Sequence, residues 1–189
     1  MTPNPLTLAS ASPRRLALLA QIGIVPTEIV APEIDEAPRP AEAPRIYARR
    51  MATEKLAAVP NPGFVIAADT VVAAGARILP KTMDDEAAEI CLRRLSGRRH
   101  DVLTAVAIRD PAEKIVVRVV ASVVGFARLD EGQIRDYLAS GEWHGKAGGY
   151  AIQGRAAAFI DFLSGSYSGV VGLPLHETAN MLRGLGYKV

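Results

Sequence analysis

The run Phe64-Val65-Ile66-Ala67-Ala68, resumed after Asp69-Thr70 by Val71-Val72, limits most strongly what this chain can fold into. It is too short for a typical helix and rich enough in large side chains to form a central strand covered on both faces. Such a strand needs other strands beside it and helices packed over it, so an α/β fold is expected. Asp69 is the anomaly. A carboxylate between Ala68 and Val71 on a buried strand is costly unless it binds a cation, pairs, or faces a cleft, which makes it the first candidate for chemistry.

A second constraint lies upstream. Leu6 to Ala9 reads as a short strand, and Leu16, Leu19 and Ala20 recur at the spacing of a buried helical face, so Ser10-Ala11-Ser12-Pro13-Arg14-Arg15 occupies a strand-to-helix junction. Ser12 is placed to cap the helix, and Pro13 suits its first position. Unpaired first-turn amides, the positive end of the helix dipole and two arginines together favour a polyphosphate. The local pattern alone leaves a capped helix with solvated arginines equally open.

The remaining elements follow in order. Thr27 to Ala31 is a second strand, and the proline-rich stretch around Glu33, Asp35 and Glu36 is a loop. Pro44 to Ala58 forms a helix with Ala48, Ala52, Leu56 and Val59 on its apolar stripe. Lys55 lies at the edge of that stripe, where a surface lysine covering apolar neighbours with its stem is the plainest reading. The central strand ends at Asp69-Thr70. The chain turns at Gly75, passes through Arg77 to Leu79, and can bring Lys81 back to the same end of the sheet. Asp84 to Leu95 is a helix with acids in its first turn and arginines in its last, and Cys91 belongs to its buried face. Val102 to Ile108 and Ile115 to Phe126 form an antiparallel hairpin turning at Asp110-Pro111. Asp130 and Gln133 make a capping box for a helix stopped by Gly141. Gly145 to Gly154 is glycine-rich, suited either to close approach of a ligand or to an ordinary bend. Ala156 to Leu163 and Tyr167 to Val171 read as strand pieces around a turn at Ser164-Gly165, and Pro174 opens a closing helix.

Composition excludes several classes. A formal net charge of +2 with no long Lys/Arg run disfavours an extended nucleic-acid groove. Met1 to Pro5 has neither a charged nor an apolar leader region, and no apolar stretch approaches the roughly 20 residues of a membrane span, so a soluble cytoplasmic protein is expected. One cysteine excludes an internal disulfide, and no Cys/His cluster has zinc spacing. His100, His144 and His176 are scattered, and each is expected to be structural or solvent-facing. The length of 189 residues suits a single domain spanning 1–189.

Taken together, Ser-Ala-Ser-Pro-Arg-Arg at 10 to 15, Ala-Asp-Thr at 68 to 70, Leu-Ser-Gly with His100, Lys-Ala-Gly-Gly-Tyr-Ala-Ile-Gln-Gly at 146 to 154, and Gly-Ser-Tyr followed by Val-Val-Gly-Leu-Pro-Leu at 170 to 175 resemble the Maf family of nucleoside triphosphate pyrophosphatases. The similarity covers nearly the whole chain in order. It implies a long mixed central sheet with flanking helices forming two lobes around a cleft, similar to inosine-triphosphate pyrophosphatases, usually in a homodimer. The Lys146 to Gly154 segment is similar to the branch acting on dTTP and UTP, with house-cleaning of modified pyrimidine nucleotides as an implied role.

By the same resemblance the substrate site falls on Ser10, Arg14, Arg15, Lys55, Thr70, Lys81 and Gln153, with Asp69 as proton acceptor. Arg14, Thr70 and Gln153 match specificity positions. Asp35 and Glu36 match an acidic pair which, with Asp69, would hold Mg²⁺ or Mn²⁺. Two positions depart from the family pattern: Gly145 stands where Asp is frequent, and Thr82 where Pro usually follows the lysine. A cationic cleft of this kind could also serve a nucleotide or RNA-end sensor. The carboxylates favour the enzyme, because a pure phosphate binder gains little from acids beside its ligand unless a metal joins them.

Overall fold

The computed structural model describes residues 5–189; Met1 to Asn4, part of the N-terminal segment read for a leader, lie outside the described residues. A seven-stranded mixed sheet is built on β3 (Phe64–Ala74). Parallel to it lies β1 (Leu6–Ala9), which in turn pairs with β2 (Glu28–Val30). On the other side of β3 comes antiparallel β6 (Arg99–Arg109), then β7 (Ile115–Phe126) and β9 (Ile160–Ser164). The short β4 (Arg77–Leu79) folds back on the end of β3. A separate ribbon joins β5 (Lys81–Thr82) to β8 (Lys146–Ala147). Among the described residues no helix is long and apolar enough to cross a membrane.

The period-2 alternation of β3 divides the core. Val65, Ala67 and Val71 face α2 (Pro44–Ala57), which lays Ala48, Met51, Ala52 and Leu56 on the sheet. Phe64, Ile66, Ala68 and Val72 face a larger cluster containing residues of α1 (Pro13–Gln21), α3 (Asp85–Leu95), α4 (Glu131–Ala139) and α6 (Leu175–Gly184). Cys91 is in this core and the Asp130–Gln133 capping box is complete, as the sequence implies. The β6–β7 turn is closed by the Asp110 carboxylate, which accepts from the amides of Ala112 and Lys114.

Four expectations are corrected. The central strand runs on through Asp69 to Ala74, because β6 pairs with it from Val65 to Ala73. The Ser12 side chain makes no cap, and its amide instead donates to Ser10 Oγ. Tyr167–Val171 is a short helix, α5, capped by Ser166 and ended by Gly172 at φ 144°; five residues are too few for periodicity to separate helix from strand. Ala156 to Leu163 is likewise split, with a 3₁₀ turn at Arg155–Phe159 preceding β9.

Candidate active site

The register of β3 creates the site. Its pairing with β1 ends at Ala67, and its pairing with β4 begins only at Val72. Between them, Ala68 to Val71 has no strand on that edge among the described residues, and a cavity of about 590 Å³ opens there. Because a strand edge exposes both pleat directions, Asp69 and Thr70 reach the same cavity although they point to opposite faces.

Asp69 shares its parity with Val65, Ala67 and Val71 and so meets α2, where Lys55 falls on the buried stripe one turn after Met51 and Ala52. Lys55 is 6% exposed and Asp69 3%, which corrects the reading of Lys55 as a surface lysine. The Lys55 ammonium lies 2.5 Å from Asp69 Oδ1 and 2.8 Å from Glu36 Oε1, and the other Glu36 oxygen accepts from Lys81. Four side chains from β3, α2, the loop before α2 and β5 thus form one alternating chain of charge. The loop is held down by α2: the Tyr47 hydroxyl donates to the Glu36 carbonyl at 2.7 Å, and Arg50 donates to the Ala37 carbonyl while pairing with Glu42. Burial alone would raise the Glu36 carboxyl, but hydrogen bonds from Lys55 and Lys81 outweigh it and bring it down to about 2.

The opposite wall is the junction of β1 and α1. Ser10 Oγ accepts from the Ser12 amide and from Arg15 Nη1, and Arg15 Nε donates to the carbonyl of Gly172 at 2.9 Å. A Cβ added at Gly172 would lie within 4 Å of both Arg15 and Thr70. Burial lowers the Arg15 guanidinium from its ordinary value, and the field of Asp69 opposes that shift. Arg14 is lowered by burial, and its Nε has no partner among the described residues. Thr70 is tied through Thr104, whose hydroxyl donates to the carbonyl of Gly169 at 2.7 Å and lies 3.1 Å from the Thr70 hydroxyl.

The third wall is the ribbon β5–β8 with the glycine-rich segment after it, which brings Lys81 and Gln153 to the cavity. Gly148, at φ 68°, sits so close to β3 that a Cβ there would lie 2.8 Å from Val72, so the close approach requires glycine. The amide of Gln153 makes no internal hydrogen bond among the described residues and lies exposed at the cavity.

Ser10, Arg14, Arg15, Glu36, Lys55, Asp69, Thr70, Lys81 and Gln153 therefore converge on one cavity. Asp35 is not brought to it; its carboxylate accepts from the Ala37 amide and shapes the loop. Among the described residues no three His, Cys, Asp or Glu side chains converge as a metal cluster, so the donors on offer are the carboxylates of Glu36 and Asp69. Both already flank one cationic position, the Lys55 ammonium. Their hard oxygens fit Mg²⁺ or Mn²⁺ if phosphate and water oxygens complete the ligand set. Sequence reasoning did not assign Lys146, His144 or Tyr150, which also line the cavity. The signal for Lys146 and Tyr150 was their place in the glycine-rich stretch, and His144 immediately precedes it. His100, expected to be structural, is buried behind Tyr150, with Nε2 2.8 Å from the tyrosine hydroxyl.

A mixed sheet carrying an acid on its central strand, faced by a cationic strand-to-helix turn, defines an anionic-ligand cleft of the α/β class. The model of the Maf-like protein family matches residues 5–185, and the chain belongs to that family. It is 56% identical over 188 residues to the dTTP/UTP pyrophosphatase of Rhodospirillum rubrum, covering 98% of this chain and 90% of that one. It is 56% identical over 185 residues to the dTTP/UTP pyrophosphatase of Hyphomonas neptunium, covering 97% of each. A HAM1 protein from Coxiella burnetii shares the fold at 15% identity, with a TM-score of 0.53 over 95% of this chain and 98% of that one.

Proposed function

We propose that this protein hydrolyses nucleoside triphosphates, dTTP and UTP above all, to the monophosphate and pyrophosphate by attack of water on the α-phosphorus, and that residues 1–189 act as one catalytic domain. The observation that supports it best is the buried Asp69 carboxylate at a break in the sheet edge, held by Lys55 and faced by the Ser10-Arg14-Arg15 turn. The lysine orients the carboxylate, placing it to take the water proton. As water oxygen bonds to the α-phosphorus, the bond to the bridging oxygen breaks and its electron pair leaves with pyrophosphate. Lys55, Lys81, Arg14 and Arg15 offset the charge that builds on phosphoryl oxygens, and no covalent nucleophile is needed. A divalent cation held by Glu36 and Asp69 would supply further charge neutralisation at the phosphates.

Base choice is assigned to Gln153 with Arg14 and Thr70. The Gln153 amide offers an acceptor for N3–H of uracil or thymine and a donor for a ring carbonyl. Flipped, it would serve cytosine equally, so the discrimination needs its neighbours. The names of the curated relatives agree with a pyrimidine substrate. The homodimer and the cytoplasmic setting implied by the resemblance belong to the same proposal.

The test is a panel of UTP, dTTP, CTP and GTP in ¹⁸O-water, with and without excess chelator. Attack at the α-phosphorus places the label in the monophosphate and none in pyrophosphate. Label in pyrophosphate would overturn the reaction proposed, and full activity in excess chelator would remove the metal from it.

A further inference from the structure

Five cations line the cavity: Arg14, Arg15, Lys55, Lys81 and Lys146. Lys55 and Lys81 are matched by Asp69 and Glu36, and Arg15 donates to Gly172 and Ser10 while facing the field of Asp69. Lys146 differs. Its ammonium donates to the backbone carbonyl of His144 at 3.0 Å, and among the described residues no carboxylate lies within ion-pair distance of it. Glu142, the acid whose field reaches it, is turned to Arg155 and accepts from the Arg155 amide at 2.7 Å. Burial and the field of Arg14 both lower the Lys146 ammonium from its ordinary value. The other member of this like-charged pair, Arg14, has a buried Nε with no hydrogen-bond partner among the described residues.

The position of Lys146 is not that of a loose surface lysine. Thr82, completely buried, donates its hydroxyl to the carbonyl of Trp143 at 2.8 Å and reaches that of Lys146 at 3.3 Å. The Gly145 amide donates to the Thr82 carbonyl and the Gly148 amide to the Pro80 carbonyl. The backbone carrying Lys146 is therefore fixed to the strand carrying Lys81. Two neighbouring cations held this way repel each other until an anion arrives. A nucleobase and a ribose carry no charge, so the phosphates alone offset the pair. The α-phosphate must sit where Asp69 can take the proton of the attacking water, with Lys55 and Lys81 on that side. Arg15 is engaged with Gly172 and Ser10, and Arg14 stands with the base-choosing residues, so Lys146 is the cation left for the rest of the triphosphate.

We propose that Lys146, which shares the cavity with Arg14, holds the leaving pyrophosphate. This rests on the pyrophosphatase reading above. When the bond between the α-phosphorus and the bridging oxygen breaks, the electron pair stays on pyrophosphate, and the Lys146 ammonium balances that added charge.

The test separates this role from both a structural role and a failure of the activity itself. Calorimetric titration with inorganic pyrophosphate, and separately with UMP, needs no turnover. A charge-assisted contact implies that Lys146→Met weakens pyrophosphate about ten- to hundredfold. UMP binding stays within about twofold, since uniform binding loss would show in both products. Lys146→Arg keeps the charge and recovers most of the pyrophosphate affinity, and thermal melting of each variant confirms folding. Unchanged pyrophosphate affinity in folded Lys146→Met, or an equal loss for UMP, overturns the proposal. A wild type that binds pyrophosphate through Lys146 yet leaves UTP intact overturns the activity and leaves the assignment of Lys146 standing.

Discussion

Replacing Lys55 with Met tests whether the charge chain is built as described. The substitution keeps an unbranched apolar stem on the buried stripe of α2 and removes only the ammonium between Asp69 and Glu36. Asp69, 3% exposed, is then left as a buried carboxylate without its partner, a change that costs about 3–5 kcal/mol. Two features place this case at the lower end: Glu36 is about a third exposed on its side chain and keeps Lys81, and the field of Arg15 still reaches Asp69. A loss of about 3 kcal/mol corresponds to a drop in Tm of roughly 6–12 °C for a chain of this length. The assay is urea unfolding at pH 7 with the midpoint and slope fitted together, on wild type, Lys55→Met, and the double variant Lys55→Met/Asp69→Asn. The double variant removes both charges and returns to within about 1 kcal/mol of wild type, since an uncharged pair carries no ionic desolvation penalty. A single variant losing less than about 1 kcal/mol would show that Asp69 does not depend on Lys55. A double variant as unstable as the single would show that the loss is packing and not charge.

Asp69→Asn preserves size and most hydrogen bonding but removes the base, so turnover of UTP falls at least about a hundredfold while nucleotide binding persists; near-normal turnover would assign proton transfer to another group. Burial holds the His100 imidazole down at about 4, below its ordinary 6.5, so folding favours the neutral ring. Its contribution is complete above pH 6.5 and is lost as pH falls towards 4, a difference of about 3 kcal/mol. Glu36, held at about 2, adds a second loss from about pH 4.5 downwards. Stability measured by urea unfolding from pH 7 to pH 3 should fall across both windows, and His100→Gln should flatten the upper one; an unchanged slope in that variant would refute the assignment. Gln153→Glu replaces a donor–acceptor amide with a group that only accepts, so kcat/KM for UTP and dTTP falls well beyond any change in stability. Equal losses for UTP, dTTP, CTP and GTP would mean that Gln153 does not read the base.

What could be read in advance and what could not divides along a physical line. Local rules reach the elements: the apolar run at 64–68 is the central strand, acids and arginines bracket α3, and Asp130 and Gln133 close their box. They also reach the oddity of Asp69, because a carboxylate in such a run demands a reason whatever the fold. They fail at Tyr167–Val171, where two valines after Ser168-Gly169 suit strand and helix alike and the Ser166 cap decides. They fail at Lys55 for a different reason. Its burial depends on Asp69, 14 residues away in another element, and helical periodicity ranks a lysine by its own polarity and not by a partner across a helix–sheet interface. The site itself is the least local feature. It exists because β1 stops pairing at Ala67, five residues before β4 starts at Val72, and that gap is a difference between two registers that no single segment encodes. Once the gap is present, adjacent residues of opposite parity face one cavity, and the sequence Asp69-Thr70 can put a carboxylate and a hydroxyl side by side. The same gap explains why Gly148 must lack a side chain: the wall that carries Lys146 and Gln153 closes over the open edge by pressing on Val72, the first residue after it that is paired again.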